Sequence, residues 1–291
     1  MGRLWATLWR TGVKFVETDG EHHAASFAYY ALFSLLPLLV LLISVGTRFY
    51  GDRTQATNAI FDLLSKFIVG DLGSPEQVKA TVEGFMRTRL GSGLISFGIL
   101  TWCSLRFFQS LVRAVNRAWG THEYSWWRLP LKNLFMVSVL ASALLIGLLT
   151  PAILNAFEKY YIEHRELFSF DYYGIGGWMV KTARALLPPL LLFYSLVLFY
   201  KFAPRRKTTV REVWIEAFLV TAALGGLQRL FVYYAKRVTD FGVVYGTFGS
   251  VVALLLWIYL TGTVIIIGGC CCAAHAEIAQ GLSDQSSSDT L

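Results

Sequence analysis

Charge is scarce in this sequence. Only 15% of its 291 residues are Asp, Glu, Lys or Arg, while 55% are hydrophobic. An ordinary water-soluble domain carries about 25% charged residues. A deficit this large on a chain this long excludes a soluble globular protein and implies that much of the surface faces lipid. Cysteine is scarce too. Cys103 stands alone in an apolar run, and Cys270, Cys271 and Cys272 stand in a row. This is no disulfide framework, and although Cys272 and His275 share a helix face, no second ligand pair has zinc spacing. The five histidines, His22, His23, His122, His164 and His275, form no H-E-x-x-H. G-x-S-x-G and the Walker A loop are absent as well. The expectation is therefore no enzyme, no metal and no cofactor. The net charge of +7 comes without a basic repeat or an RNA-reading aromatic sheet. It is assigned to helix ends and anionic headgroups, with no nucleic acid as partner.

What the chain has is long uncharged runs, of which Phe241 to Ala274 is the longest. About 18 apolar residues suffice to span hydrocarbon as a helix. Six spans are predicted, near 24–48, 91–113, 131–155, 178–201, 213–235 and 243–273, so the fold class is an all-α polytopic membrane helix bundle. Ahead of them, residues 1–20 read as an amphipathic interfacial helix. Leu4, Trp5, Leu8, Trp9, Val13 and Val16 share one face, and Arg3, Thr7, Arg10, Lys14 and Glu17 the other. Packing of that helix on its own protein stays open as the alternative. Within the membrane domain, 21–278, the segment 52–90 has helical spacing (Ile60, Leu63, Leu64, Phe67; Val78, Val82, Phe85). Ser74-Pro75-Glu76 reads as a helix start, giving two short extracytoplasmic helices. Residues 279–291 are polar and read as a disordered cytoplasmic tail. A raw tally of Lys and Arg is even between the two sides. Density decides, because Arg113, Arg117, Arg128 and Lys132, then Lys201, Arg205, Arg206, Lys207 and Arg211, crowd two short loops. Both termini are thus expected in the cytoplasm.

Four features bear on function. On span one, Tyr30 and Ser34 offer a polar lining, and Pro37 should kink the helix; a tolerated membrane proline is the plainer alternative. On span two, Arg106, Gln109, Arg113 and Asn116 are spaced three, four and three apart, so they form one stripe. Arginine at that depth costs several kcal/mol unless it snorkels, pairs or meets water. The stripe reads as a substrate path, and Glu216 on span five lies at a depth to neutralise Arg106 or Arg113. On span six, Gly242, Gly246 and Gly249, then Gly262, Gly268 and Gly269, permit close helix approach, and Gly246 and Gly249 read with Pro37 as hinge positions. Lastly, Arg205, Arg206 and Lys207 form a rim for anionic lipid. Span four is expected to break at Pro188-Pro189.

Several segments together resemble one family. Ala28-Tyr29-Tyr30-Ala31-Leu32-Phe33-Ser34-Leu35-Leu36-Pro37 resembles the first span of the YihY / BrkB family of bacterial inner-membrane proteins. Ala114-Val115-Asn116-Arg117-Ala118-Trp119, Phe202-Ala203-Pro204-Arg205-Arg206, Val244-Tyr245-Gly246-Thr247-Phe248-Gly249-Ser250 and Leu256-Trp257-Ile258-Tyr259 resemble its later motifs, in the same order along the chain. The resemblance implies six spans in a bacterial inner membrane. The family has carried ribonuclease and virulence-factor labels, and a role in exporting envelope lipid has been suggested for it. One departure is Gly268-Gly269-Cys270 where that family has Gly-Ala-Glu. The resulting expectation is transport, or transport-linked handling, of a lipid or anionic envelope component, with a non-transporting scaffold that binds anionic lipid as the alternative. The partners implied are membrane lipids and a lipid or anionic solute as cargo; a homo-oligomer stays open.

Overall fold

The computed structural model describes residues 2–50, 93–121, 177–206, 208–237 and 249–288. Among them every regular element is a helix: α1 (Gly2–Glu17), α2 (Gly20–Tyr50), α3 (Gly93–Ala118), α4 (Gly177–Phe202), α5 (Val210–Arg237) and α6 (Gly249–Ser288). Helices α2 to α6 fall on the first, second, fourth, fifth and sixth expected spans. The third span, the segment 52–90, Gly242, Gly246 and Lys207 lie outside the described residues. Ala185–Phe202, Val210–Tyr234 and Val251–Ile278 are long and apolar enough to cross a membrane.

Local chemistry sets several boundaries. Asp19, with φ 52°, supplies the left-handed residue that turns α1 into α2, a conformation Asp tolerates better than most side chains. Helix α3 ends at Gly120, whose φ of 63° is costless without a Cβ. The Gly120 N–H reaches the Arg117 carbonyl at 2.9 Å and the Thr121 N–H reaches that of Asn116 at 3.0 Å. This is the paired pattern of a Schellman cap. Helix α5 begins after Thr209, whose N–H points at Glu212 Oε2, 3.4 Å away, half of a capping box. Two sequence expectations differ from the outcome. Helix α4 continues through Pro188 and Pro189 instead of breaking there, as bundle helices do when neighbours satisfy the freed carbonyls. Helix α6 runs to Ser288, past residue 279, where a tail was expected to begin; Ala276, Glu277 and Ile278 carry the helix on. The backbone of α2 is helical through position 37.

Helix α2 packs along α3, and α6 crosses α1, α2, α3 and α5, while α4 lies against α5. Phe27, Phe108, Val112, Val115, Tyr200 and Ile266 lie in their common core. Three glycines of α6 set the closeness of that packing. A Cβ on Gly268 would collide with Tyr200 Oη and Val220 Cγ2, one on Gly262 would meet Phe27 and one on Gly269 would meet Val115. The small-residue expectation thus holds for these three, each against a different helix.

Candidate functional site at one end of the bundle

The ends of α1, α3, α4 and α6 and the start of α5 meet at one end of the molecule, and polar side chains hold them. Helix α1 docks with its polar stripe inward. Thr11 and Thr18 are buried, and Lys14 donates to the Ala118 carbonyl at 2.8 Å and to Glu277 Oε1 at 2.6 Å. Arg10 lies 4.0 Å from the same carboxylate, and Thr18 Oγ1 is 3.9 Å from Cys270 Sγ. A lysine at the C-terminus of α3 also answers the negative end of that helix. The apolar face is the outer one: Trp5 is 73% exposed and Trp9 69%, with Leu8 and Val16 beside them. The docked stripe runs through Thr7, Thr11, Lys14 and Thr18, with Phe15 packed on the core. Of the polar face expected from sequence, Thr7 and Lys14 turn inward while Arg10 and Glu17 stay exposed.

The stripe on α3 divides. Tyr30 of α2 meets Trp102 edge-on at 5.7 Å, Arg106 lies over the same indole at 5.8 Å, and Arg106 Nη1 donates to Gln109 Oε1 at 3.3 Å. Tyr30 and Arg106 therefore meet at one tryptophan, with Gln109 joined to them through Arg106. Ser34 does not join them, since its hydroxyl donates to the Ala31 carbonyl of its own helix at 2.7 Å. Arg113 is exposed. It lies between two fixed points on α3: Ser110, which donates to the His23 carbonyl at 2.9 Å, and Arg117, which meets Asp19 at 2.7 Å. Burial pushes the His23 imidazole below its ordinary pKa, and the Arg117 and Arg113 charges push it further the same way.

Asn116 has a different part. It is 6% exposed. Its Nδ2 donates to Val112 O at 2.7 Å and Ala203 O at 3.0 Å. Its Oδ1 accepts from Arg205 N at 2.9 Å and Thr121 Oγ1 at 3.0 Å. The side chain ties the end of α3 to the backbone that follows α4. That tie presents the basic rim: Arg205 and Arg206 are exposed, with the Arg206 guanidinium 5.6 Å above the Trp119 ring.

Glu216 is not paired with Arg106 or Arg113 as expected. It is 3% exposed, and its Oε1 lies 2.6 Å from Nδ1 of His275 on α6. Position along a span gives depth but not azimuth, so the sequence could not tell which neighbour α5 would turn this carboxylate toward. The signal for His275 was available: a lone histidine at the polar end of an uncharged run. Gly249 is buried at the start of α6. Among the described residues no three His, Cys, Asp or Glu side chains gather to hold a metal ion.

The comparisons with known proteins follow the same outline. A family model described as virulence factor BrkB matches residues 12–289. The ribonuclease-like protein YfkH of Bacillus subtilis is 24% identical over 262 residues, covering 86% of this chain and 88% of the relative. A UPF0761 membrane protein of Aliivibrio fischeri is 25% identical over 275 residues, covering 92% and 82%. One from Coxiella burnetii is 25% identical over 260 residues, covering 88% and 87%. No solved structure matches the chain.

Proposed function

The chain belongs to the virulence factor BrkB family of membrane proteins, and from that premise we propose that it moves, or helps to move, a lipid or other anionic envelope component across a bacterial inner membrane. The observation that supports this reading is the pair of exposed arginines on α3. Arg113 stands near the end of the helix and Arg106 two turns further in. Twelve residues separate Arg106 from Ala118, or about 18 Å along the axis. A charged headgroup entering at the rim of Arg205 and Arg206 would thus meet further guanidinium groups with depth, and guanidinium suits phosphate. The outward Trp5, Leu8, Trp9 and Val16 of α1 suit the headgroup–acyl boundary beside that entrance.

The architecture proposed is six spans with both termini cytoplasmic. Reporter fusions at Gln285 and Arg206 should both read cytoplasm and one at Pro75 the opposite side; a periplasmic signal at Arg206 overturns the topology. A second reading, a non-transporting scaffold, is favoured by Asn116, an expected path residue that serves as a structural tie. Proteoliposomes carrying fluorescent phosphatidylglycerol or phosphatidylcholine separate the two. Transport predicts faster crossing of the anionic probe, reduced at least about tenfold in the R106Q/R113Q protein, the scale of one charge-assisted hydrogen bond. Binding of the anionic probe without crossing supports the scaffold. No preference for the anionic probe in either assay refutes both.

A further inference from the structure

Glu216 is a carboxylate among apolar neighbours. Val213, Ala217 and Val220 of its own helix are buried around it, and Val220 rests on Gly268 of α6. Its hydrogen-bond partner, His275, is by contrast 51% exposed. His275 also sits at the polar end of α6, two residues before Glu277, which binds Lys14. One member of the pair is thus sealed in the α5–α6 seam and the other is open to the surroundings. An ionisable group at membrane depth is costly, and such groups mark ion and proton pathways.

We propose that Glu216 and His275 form a proton-binding site whose occupancy sets how closely α5 is held to α6. With one proton shared between them, as imidazolium and carboxylate or as imidazole and carboxylic acid, the pair is neutral in either form. Loss of that proton to water through the exposed imidazole leaves a net negative charge inside the seam. A buried charge without compensation is strongly unfavourable, and the relief available is separation of the helices so that water reaches the carboxylate. The proton leaves to and returns from solvent, so no other reactant is needed.

The groups that face Glu216 from the packed elements do not supply the missing charge. They are the phenol of Tyr200 on α4 and the thiols of Cys271 and Cys272 on α6. None of these carries positive charge. The cation of α1 nearest this end, Lys14, is committed to Ala118 and Glu277. Helix α5 adds at this end a further carboxylate, Glu212, which faces Thr209, and Arg211, which is exposed and five residues before Glu216. The inference does not depend on what the protein carries, or on whether it carries anything.

The test is hydrogen exchange by mass spectrometry on the full-length protein in lipid nanodiscs. Protection is read between pH 5 and 8, the range in which histidine ordinarily changes charge, and corrected for intrinsic exchange. Peptides covering 210–220 and 268–278 should lose protection as pH rises in the wild type, by about tenfold as the unprotonated fraction of the pair rises from about a tenth to nearly one. Glu216→Gln, which mimics a carboxyl that never ionises, should be protected at both ends of the range. His275→Gln, which keeps a hydrogen-bonding group but removes the exposed imidazole and leaves only the Glu216 carboxyl to hold the proton, should alter the pH dependence and covers the case in which Glu216→Gln does not fold. Flat protection in the wild type overturns the proposal. So does an undiminished pH dependence in Glu216→Gln, or a His275→Gln profile that superimposes on the wild type.

Discussion

Replacing Asn116 should loosen the end of the bundle by a definable amount. The amide makes four hydrogen bonds, and the two to Ala203 O and Arg205 N cross between segments. The Arg205 N–H can only donate, so the atom facing it must be the oxygen, which fixes the amide orientation. Asn116→Ala removes both crossing bonds, one of them to the fully buried Ala203. A hydrogen bond is worth about 0.5–1.5 kcal/mol net. The expected loss for two is thus about 1–3 kcal/mol, read by equilibrium unfolding of the full chain in mixed micelles. Asn116→Asp is the discriminating variant. It keeps the oxygen that serves Arg205 and Thr121 but turns the donor toward Val112 O and Ala203 O into an acceptor. It should be at least as damaging as alanine. An aspartate variant within about 0.5 kcal/mol of wild type, the range of an ordinary surface change, would refute the assignment of Asn116 as a tie.

Three further outcomes follow from other parts of the molecule. Because His23 is held below its ordinary pKa, the folded protein takes up its proton less readily than the unfolded chain, so stability should fall as pH drops below about 6.5; His23→Gln should weaken that loss in thermal melts, and an unchanged pH profile would show that another group governs it. Gly268→Ala should destabilise sharply, since its Cβ would strike Tyr200 and Val220, whereas Gly226→Ala, with nothing within 4 Å, should be neutral or gain about 0.5–1 kcal/mol from helix propensity; equal effects in the same unfolding assay would contradict the packing described. Trp5 and Trp9 should be quenched by brominated lipid in nanodiscs, so that W5Q/W9Q lowers the quenchable fraction of fluorescence. Quenching equal to wild type would mean that the outer face of α1 meets something other than lipid.

The sequence disclosed most where a pattern repeats. Uncharged runs located α2 to α5 within about five residues and the apolar part of α6, which continues to Ser288 beyond the expected end at 273, and the 3.6-residue period separated the apolar outer face of α1. It disclosed less where neighbours decide. Which face of α1 docks depends on Glu277 and the end of α3, which no period encodes. The stripe Arg106, Gln109, Arg113 and Asn116 was correctly placed on one side of α3, yet its last member lies where the α4 connection crosses, and burial converts it from lining to tie. Glu216 was noticed for its depth, while its partner depended on the rotation of α5. Pro188 and Pro189 misled because their cost is set by what surrounds the freed carbonyls.

Lys14 joins α1 to Glu277, 263 residues later. In order of synthesis the first helix is therefore made long before its seat exists. Until the last span has entered the bilayer, Lys14 has no carboxylate to meet, and the threonine stripe has no α6 to cover it. Until then α1 is held only by Ala118 of α3 and its contacts with α2 and α3, and its full closure is among the final events of assembly. A tag or truncation at the first residues would thus act on the last helix, as a defect of maturation visible only after the whole chain is made.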